Sequence, residues 1–380
     1  MTRRLLNLPL PAIRPRGSQR GRSDDRLREL AGFGTNPGAL RARTHLPANL
    51  PRSAPLVVVL HGCTQTAAGY DHGSGWSRVA DLGGFGLLFP EQRRENNPNL
   101  CFNWFVPDDI RRDNGEAASI RQMIAAMIES HSIDAERIFV TGLSAGGAMA
   151  AVMLATYPEV FAGGSVIAGL PYACAANVPQ ALKRMRGEGS PNASLLADRL
   201  RQASGHRGGW PTLAVWHGAA DATVHPSNAE ATLAQWRAVH GLGEQPDRSE
   251  IDASVSRRVW HAADGRAVLK AYTIAGMGHG TPLNTSGLDS CGVAGPFMLD
   301  VGISSTCHDA RSWGLLDPAT VVDTGSKREK AAWPAGDGTG KPTLSQLDPQ
   351  GLLRPGHTNG TSSAIGGVIE NALRKAGLMR

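Results

Sequence analysis

The stretch from Arg137 to Pro158, RIFVTGLSAGGAMAAVMLATYP, constrains this chain more than any other. Its first part carries β-branched and aromatic residues, its second part is rich in alanine, and Gly142, Gly146 and Gly147 crowd the join. β-Branched residues favour strands and alanine favours helices. The glycines mark a turn too tight for side chains on its flanks. Ser144 at the apex is lifted clear of the strand and set at the amino end of a helix, where backbone N–H groups lack partners. GLSAG at 142–146 therefore fits the G-x-S-x-G nucleophile elbow, in the strand–turn–helix setting that the elbow requires.

The rest of the chain repeats the same alternation. LVVVLHG (56–62), FGLLFPE (85–91), RIFVTG (137–142), GGSVIAG (163–169), TLAVWHG (212–218) and LKAYTIAG (269–276) are short apolar runs. Runs apolar on both faces predict parallel strands covered on both sides. Between them, Ile120, Met123, Ile124, Met127 and Ile128 recur at helical spacing, Ala145 to Tyr157 reads as a helix stopped by Pro158, and Pro226 to His240 as a third helix. The prediction is an α/β fold of the hydrolase type: a mostly parallel, doubly wound sheet flanked by helices, with cap-like insertions. ALRART (39–44) is expected to add an edge strand.

Four segments are expected along the chain. Residues 1–38 read as a basic, partly disordered leader and 39–316 as the catalytic domain, with 171–211 inserted as a cap that contains one helix at ASLLADRLRQA. Residues 317–360 read as irregular and rich in Gly and Pro. Residues 361–380 read as a C-terminal helix with a buried stripe of Ile365, Val368, Ile369, Ala372 and Leu373.

The net charge of +6 is concentrated at one end, because residues 1–50 hold ten arginines against three acidic residues. The body is close to neutral, which argues against a nucleic-acid-binding face. No run of 18 apolar residues predicts a membrane span. The start, MTRRLLNLPLPAI, has a short apolar part broken by Pro9 and Pro11, a poor export signal. A cytoplasmic location is expected on that ground, with an extracellular one as the alternative. Of the five cysteines, Cys291 and Cys307 are the expected pair if any disulfide forms, and with His308 and Asp309 they match no zinc spacing.

A serine hydroxyl needs a base, and the base needs an orienting carboxylate. In this kind of fold the chain order is serine, acid, histidine. Asp221 in HGAADATV follows the fifth apolar run and His279 in AGMGHGTP follows the sixth, both at carboxyl ends of strands, where open α/β sheets bind ligands. His61, His217, His225 and His261, and Asp252 and Asp264, fit order or placement less well. Oxyanion donors are expected from the backbone N–H of Ala145 and from the loop LHGCTQTA, by way of Cys63 or Thr64. In that reading Cys63 acts through its backbone and its thiol is incidental. Trp104 and Phe105 in CFNWF fit either a substrate groove or packing beneath the site, with Trp76 and Trp216 as weaker candidates. No metal or cofactor is called for.

These motifs together resemble the esterases of the polyhydroxybutyrate depolymerase family, within the α/β-hydrolases. The matching stretches are PLVVVLHGCTQTA, CFNWFVPDDIRRDNGEAASI, RIFVTGLSAGGAMA, WHGAADATVHP, GMGHGTPL and GPFMLDVGISSTCHDARSWGL, spanning about residues 50–315. The resemblance implies a Ser144–Asp221–His279 triad, with Cys63 and Ala145 at the oxyanion; Thr64, Trp104 and Phe105 stay separate candidates for contact with the substrate. It also implies a small-molecule or oligomeric ester as substrate, hydroxyalkanoate esters first, with feruloyl or acetyl-xylan esters as alternatives. Acyl transfer to another acceptor is a rival within catalysis, and a non-catalytic scaffold with a basic arm is a rival outside it.

Overall fold

The computed structural model describes residues 25–322. From the amino end come β1 (Arg28–Glu29), β2 (Arg41–His45), β3 (Ala54–Leu60), α1 (Ala67–Ser74), α2 (Trp76–Gly83) and β4 (Gly86–Glu91). Next are α3 (Gly115–His131), β5 (Ile133–Leu143), α4 (Ala145–Thr156), β6 (Gly163–Ile167), α5 (Val178–Met185) and α6 (Ala193–Gln202). Then follow β7 (Thr212–Gly218), α7 (Ser227–His240), β8 (Arg248–Asp252), β9 (Val255–His261) and β10 (Ala267–Ile274). A short parallel pair, β11 (Thr281–Leu283) and β12 (Met298–Asp300), and α8 (Ser305–Ser312) complete the described residues.

One ten-stranded sheet carries the molecule, in the order β1-β2-β4-β3-β5-β6-β7-β10-β9-β8. The six runs expected as parallel strands are β3, β4, β5, β6, β7 and β10, and they lie side by side and parallel. The alternation within β3 shows how both faces are used. Leu56, Val58 and Leu60 enter one core with Ile120, Met123 and Met127 of α3 and with α4 and α7. Val57 and Val59 enter the opposite core with Trp76 and Val79 of α2 and Cys307 and Ala310 of α8. Every residue of α4 is buried, because it is held between the sheet and its neighbours. An alanine-rich sequence lets this helix approach the strands closely.

The segment 171–211, expected as a cap, contains two helices where one was expected. Asn177 caps α5, a helix of eight residues with Ala181 alone buried, too short a run to stand out beside the Pro, Gly and charge around it. The buried side chain of Gln235 on α7 ties this segment down, donating to the carbonyls of Tyr172 (3.1 Å) and Leu196 (2.8 Å) and accepting from Tyr172 N–H (3.0 Å). Three other expectations are corrected. Residues 25–38 belong to the fold and not to a leader, since Leu27 is buried and β1 pairs with β2. The expected edge strand at 39–44 is β2, which lies between β1 and β4. The β8–β9 hairpin, RSEIDASVSRRVWH, exposed along β8 and partly buried along β9, extends the far edge without a prior signal, because its charged residues mask the alternation. The irregular segment beyond residue 322 and the helix at 361–380, with its stripe, lie outside the described residues. Among the described residues no helix is long and apolar enough to cross a membrane.

Cysteine pairing also differs from expectation. The disulfide joins Cys63 to Cys101, so the Cys63 thiol is not incidental, and Cys174, Cys291 and Cys307 are free. Cys291 and Cys307 do meet, with sulfurs 3.2 Å apart, but are not bonded. The Cys63–Cys101 separation of 38 residues concealed the true pair, whose Cα atoms the loops after β3 and β4 bring to 4.2 Å.

Asp309 of α8 lies fully buried against the sheet, accepting the indole N–H of Trp216 at 3.1 Å. Burial pushes its carboxyl up to about 7. An unfolded Asp titrates near pH 4, so between about pH 4 and 7 the native state holds the extra proton and its stability falls as pH rises. Asp309→Asn keeps the acceptor for Trp216 and removes the titration. Urea unfolding from pH 4 to 8 should show the variant gaining stability relative to the parent as pH rises, with the gap level above about pH 7.

Candidate active site

At the end of β5 the chain turns into α4 through Ser144, held at φ 58° and ψ −116°. Few non-glycine residues adopt such angles. The surroundings enforce them: Ser144 N–H donates to Ile167 O on β6 at 2.8 Å. A side chain at Gly146 would overlap the carbonyl oxygen of Leu60, and one at Gly142 the backbone of Gly146. The expected role of the glycines in the elbow is therefore literal.

Asp221 and His279 come from neighbouring parallel strands, β7 and β10. Their two loops are stitched together by Ala219 N–H to Ile274 O and Ala220 N–H to Met277 O, each 2.9 Å. Gly218 makes this approach feasible, since any side chain there would strike Met277 O. His279 Nδ1 donates to Asp221 Oδ2 at 2.7 Å, with both side chains buried. The other carboxylate oxygen accepts the N–H groups of Thr223 (2.8 Å) and Val224 (2.9 Å). Burial alone would raise the Asp221 carboxyl. The imidazoles of His217 and His279 outweigh it and hold the group well below the ordinary carboxylate range. Asp252 and Asp264 are exposed, as expected.

Ser144 and His279 line one narrow pocket with Gly62, Cys63, Gln65, Leu143 and Phe297. No Ser144–His279 hydrogen bond is closed in this resting geometry, a looseness usual before substrate binds. Thr64 does not line the pocket. Its backbone, at φ 63°, sends its N–H to Asn99 O at 2.7 Å, so Cys63 is the member of that pair whose N–H is left for an oxyanion. Ala145 is the first residue of α4 and has no carbonyl one turn back to bond.

Trp104 is buried in a cluster with Ala145, Ala148 and Leu170, and Phe105 packs edge-on against it with ring centres 5.3 Å apart. That cluster also includes Cys63, and neither ring is among the residues lining the narrow pocket. Trp76 and Trp216 are buried in the core on the α2–α8 face. His61 bonds Gly62 O and Gln92 N–H, His225 bonds Ser227, and neither lines the pocket. Sequence reasoning missed Gln65 and Phe297. Gln65 Oε1 accepts Gly62 N–H at 2.8 Å, bracing the loop after β3. Phe297 lies inside a motif that was noticed, GPFMLDVG, but nothing in one dimension tells that its ring meets His279.

A family model described as esterase PHB depolymerase matches residues 43–265. Poly(3-hydroxyalkanoate) depolymerase C of Paucimonas lemoignei is 44% identical over 292 residues, covering 76% of this chain and 70% of that protein. Acetylxylan esterase A of Aspergillus oryzae is 31% identical over 67% of this chain and 83% of its own length. The solved acetyl xylan esterase from Aspergillus awamori superposes with a TM-score of 0.65 at 25% identity, covering 76% of this chain and 99% of that one. This chain belongs to the esterase PHB depolymerase family. It is a carboxylic ester hydrolase with the α/β-hydrolase fold.

The esterase braces its pocket from behind. Cys101, bonded to Cys63, sits in the loop after β4, and a buried polar network fixes that loop. Glu116 at the start of α3 accepts from Gln92 Nε2 (2.6 Å) and Asn103 N–H (2.8 Å), and Gln92 Nε2 also donates to Cys101 O (2.9 Å). Burial and the nearby Asp109 push Glu116 up to about 8 against those donors.

Two outcomes are expected. Replacing both Cys63 and Cys101 by serine should cost about 2–4 kcal/mol in denaturant unfolding, with a loss of turnover as the Cys63 N–H loses its fixed position. Gly218→Ala should separate the Asp221 and His279 loops and lower kcat by about tenfold or more, while circular dichroism still reports the native helix and strand content.

Proposed function

We propose that Ser144, Asp221 and His279 form the catalytic triad of this esterase and that its substrates are oligomers of short hydroxyalkanoic acids. The observation that carries the triad is the buried Asp221–His279 bond of 2.7 Å beside a strained serine in the same pocket. Asp221 keeps the proton of the imidazole on Nδ1, which leaves Nε2 free to take the hydroxyl proton. Ser144 Oγ attacks the ester carbonyl, and its proton passes to His279. The N–H groups of Cys63 and Ala145 receive the negative charge that builds on the carbonyl oxygen. His279 then protonates the leaving alcohol. Water, deprotonated by His279, cleaves the acyl-enzyme and releases the acid.

The substrate class rests on the 44% identity to the Paucimonas lemoignei depolymerase, the strongest likeness among the relatives named. Hydrolysis of acetylated xylan is the second reading, favoured by the acetyl xylan esterase whose fold superposes over most of this chain. The Cys63–Cys101 disulfide favours an oxidising compartment, and with it the extracellular alternative over the cytoplasm. We further read residues 25–316 as the catalytic domain, with β1 included, and 171–211 as its cap, on the strength of α5 and α6 packing beside the Ala145 cluster.

The test is direct. Ser144→Ala should lower kcat on p-nitrophenyl butyrate by three or more orders of magnitude with an unchanged melting temperature. Substantial hydrolysis by that variant would exclude the mechanism. Rates of the parent enzyme on hydroxybutyrate trimers, acetylated xylan and methyl ferulate then rank the substrate classes. A clear preference for acetylated xylan would replace the first reading by the second.

A further inference from the structure

Phe297 occupies a backbone conformation that an aromatic residue rarely takes, at the wall of the catalytic pocket. Gly295 and Met298 exchange both backbone hydrogen bonds, 3.0 and 2.9 Å, closing a four-residue turn around Pro296 and Phe297. Phe297 takes the third place with φ 63°. A turn with proline second and a positive φ third normally places glycine there. A ring at this position is strained, and strain of that kind persists only where the surroundings dictate it.

The surroundings do so on both sides. β12 begins at the next residue, with Met298 in register with Thr281 of β11, and Thr281 N–H donates to Phe297 O at 2.8 Å. Met298 is buried in the core, where its side chain presses on Gly73. Gly280, adjacent to His279, lies so close to the Phe297 carbonyl that any side chain there would collide with it. The segment carrying Phe297 is thus locked against the segment carrying His279. The two rings stand edge to face, 83° apart with centres separated by 6.1 Å.

The side of the ester that meets Phe297 follows from the proposed mechanism, on which this inference rests. His279 delivers its proton to the leaving oxygen, so a group packed against the imidazole adjoins the alcohol half of the ester. We propose that Phe297 is the alcohol-side specificity residue, limiting the enzyme to esters whose alcohol carbon bears a small branch. For a hydroxyalkanoate oligomer that branch is the side chain of the departing unit. A methyl group is accommodated, and a longer alkyl chain meets the ring.

The experiment compares the parent with Phe297→Leu, Phe297→Ala and Phe297→Gly on two series: acetates of ethanol, 2-propanol, 3-pentanol and 5-nonanol, whose shorter branch grows from none to butyl, and p-nitrophenyl esters from acetate to octanoate. The ratio of kcat/KM for 5-nonyl to ethyl acetate should rise at least tenfold in the alanine and glycine variants, and less in leucine. The ratio of octanoate to acetate in the acyl series should shift less than threefold. The glycine variant should melt at a higher temperature than the alanine variant, since glycine accepts the positive φ. A shift confined to the acyl series would overturn the assignment, as would equal scaling of all esters. A parent enzyme that hydrolyses no ester of either series would instead sink the triad reading, a separate outcome.

Discussion

The whole site depends on one buried carboxylate. Asp221 accepts two backbone N–H groups on one oxygen and the His279 imidazole on the other, with His217 Nε2 a further 3.4 Å away. Removing a carboxylate from water is costly unless donors replace the lost hydration. Here the donors are fixed before any substrate arrives. His217 contributes by that contact and also by closing the loop, since the same Nε2 atom donates to Val224 O at 2.8 Å. That bond also fixes the tautomer, because a carbonyl can only accept. The acid is thereby held on a short loop from 218 to 224 whose two ends are bonded to each other.

The opposite wall of the pocket is supported by different means. Covalent and polar ties hold the loop after β3: the Cys63–Cys101 disulfide, Thr64 N–H to Asn99 O, and the bond from Gly62 N–H to Gln65. Cys101 in turn leans on Gln92 and Glu116, which places a carboxyl at the centre of a buried network at the start of α3. An oxyanion donor works through preorganisation, since it must not move when charge develops. In the proposed mechanism, the chain from α3 through Glu116, Gln92 and Cys101 to Cys63 would meet that requirement.

Much of this was legible before any coordinates. The six parallel strands announce themselves because each is covered on both faces and must be apolar throughout, as Val57, Val58 and Val59 are. The elbow is legible because sterics allow almost no residue but glycine at 142 and 146. Asp221 and His279 follow from chain order and from strand ends. The features that escaped are those decided in three dimensions. The β8–β9 hairpin carries Arg248, Glu250, Arg257 and Arg258, and only Val259 and Trp260, side by side in β9, are buried, so burial leaves no periodic mark. The Cys63–Cys101 bond depends on two loops meeting at the sheet's carboxyl edge, while Cys291 and Cys307 are close in sequence and in space yet stay unjoined. Thr64 and Cys63 were interchangeable as candidate donors in the sequence, and only the fold shows that the Thr64 N–H is taken by Asn99 O.

Three residues near the pocket share that left-handed habit: Thr64, Ser144 and Phe297, with φ of 63°, 58° and 63°. Glycine would fit each position with less strain, so the reason for its absence differs from site to site. At 144 the proposed mechanism requires the hydroxyl. At 64 the positive φ itself matters, since it directs the N–H to Asn99 and ends the loop just past Cys63. At 297 the backbone is already fixed by the β11–β12 ladder and by Met298 in the core, and a glycine would leave the face of His279 without its neighbour. Strain of about 1–3 kcal/mol at such positions is tolerable only because the sheet beneath is rigid and deeply buried on both faces. The large apolar body and the few distorted residues at its rim are thus one arrangement: the first supplies the stability that lets the second hold side chains where an ester can be cut.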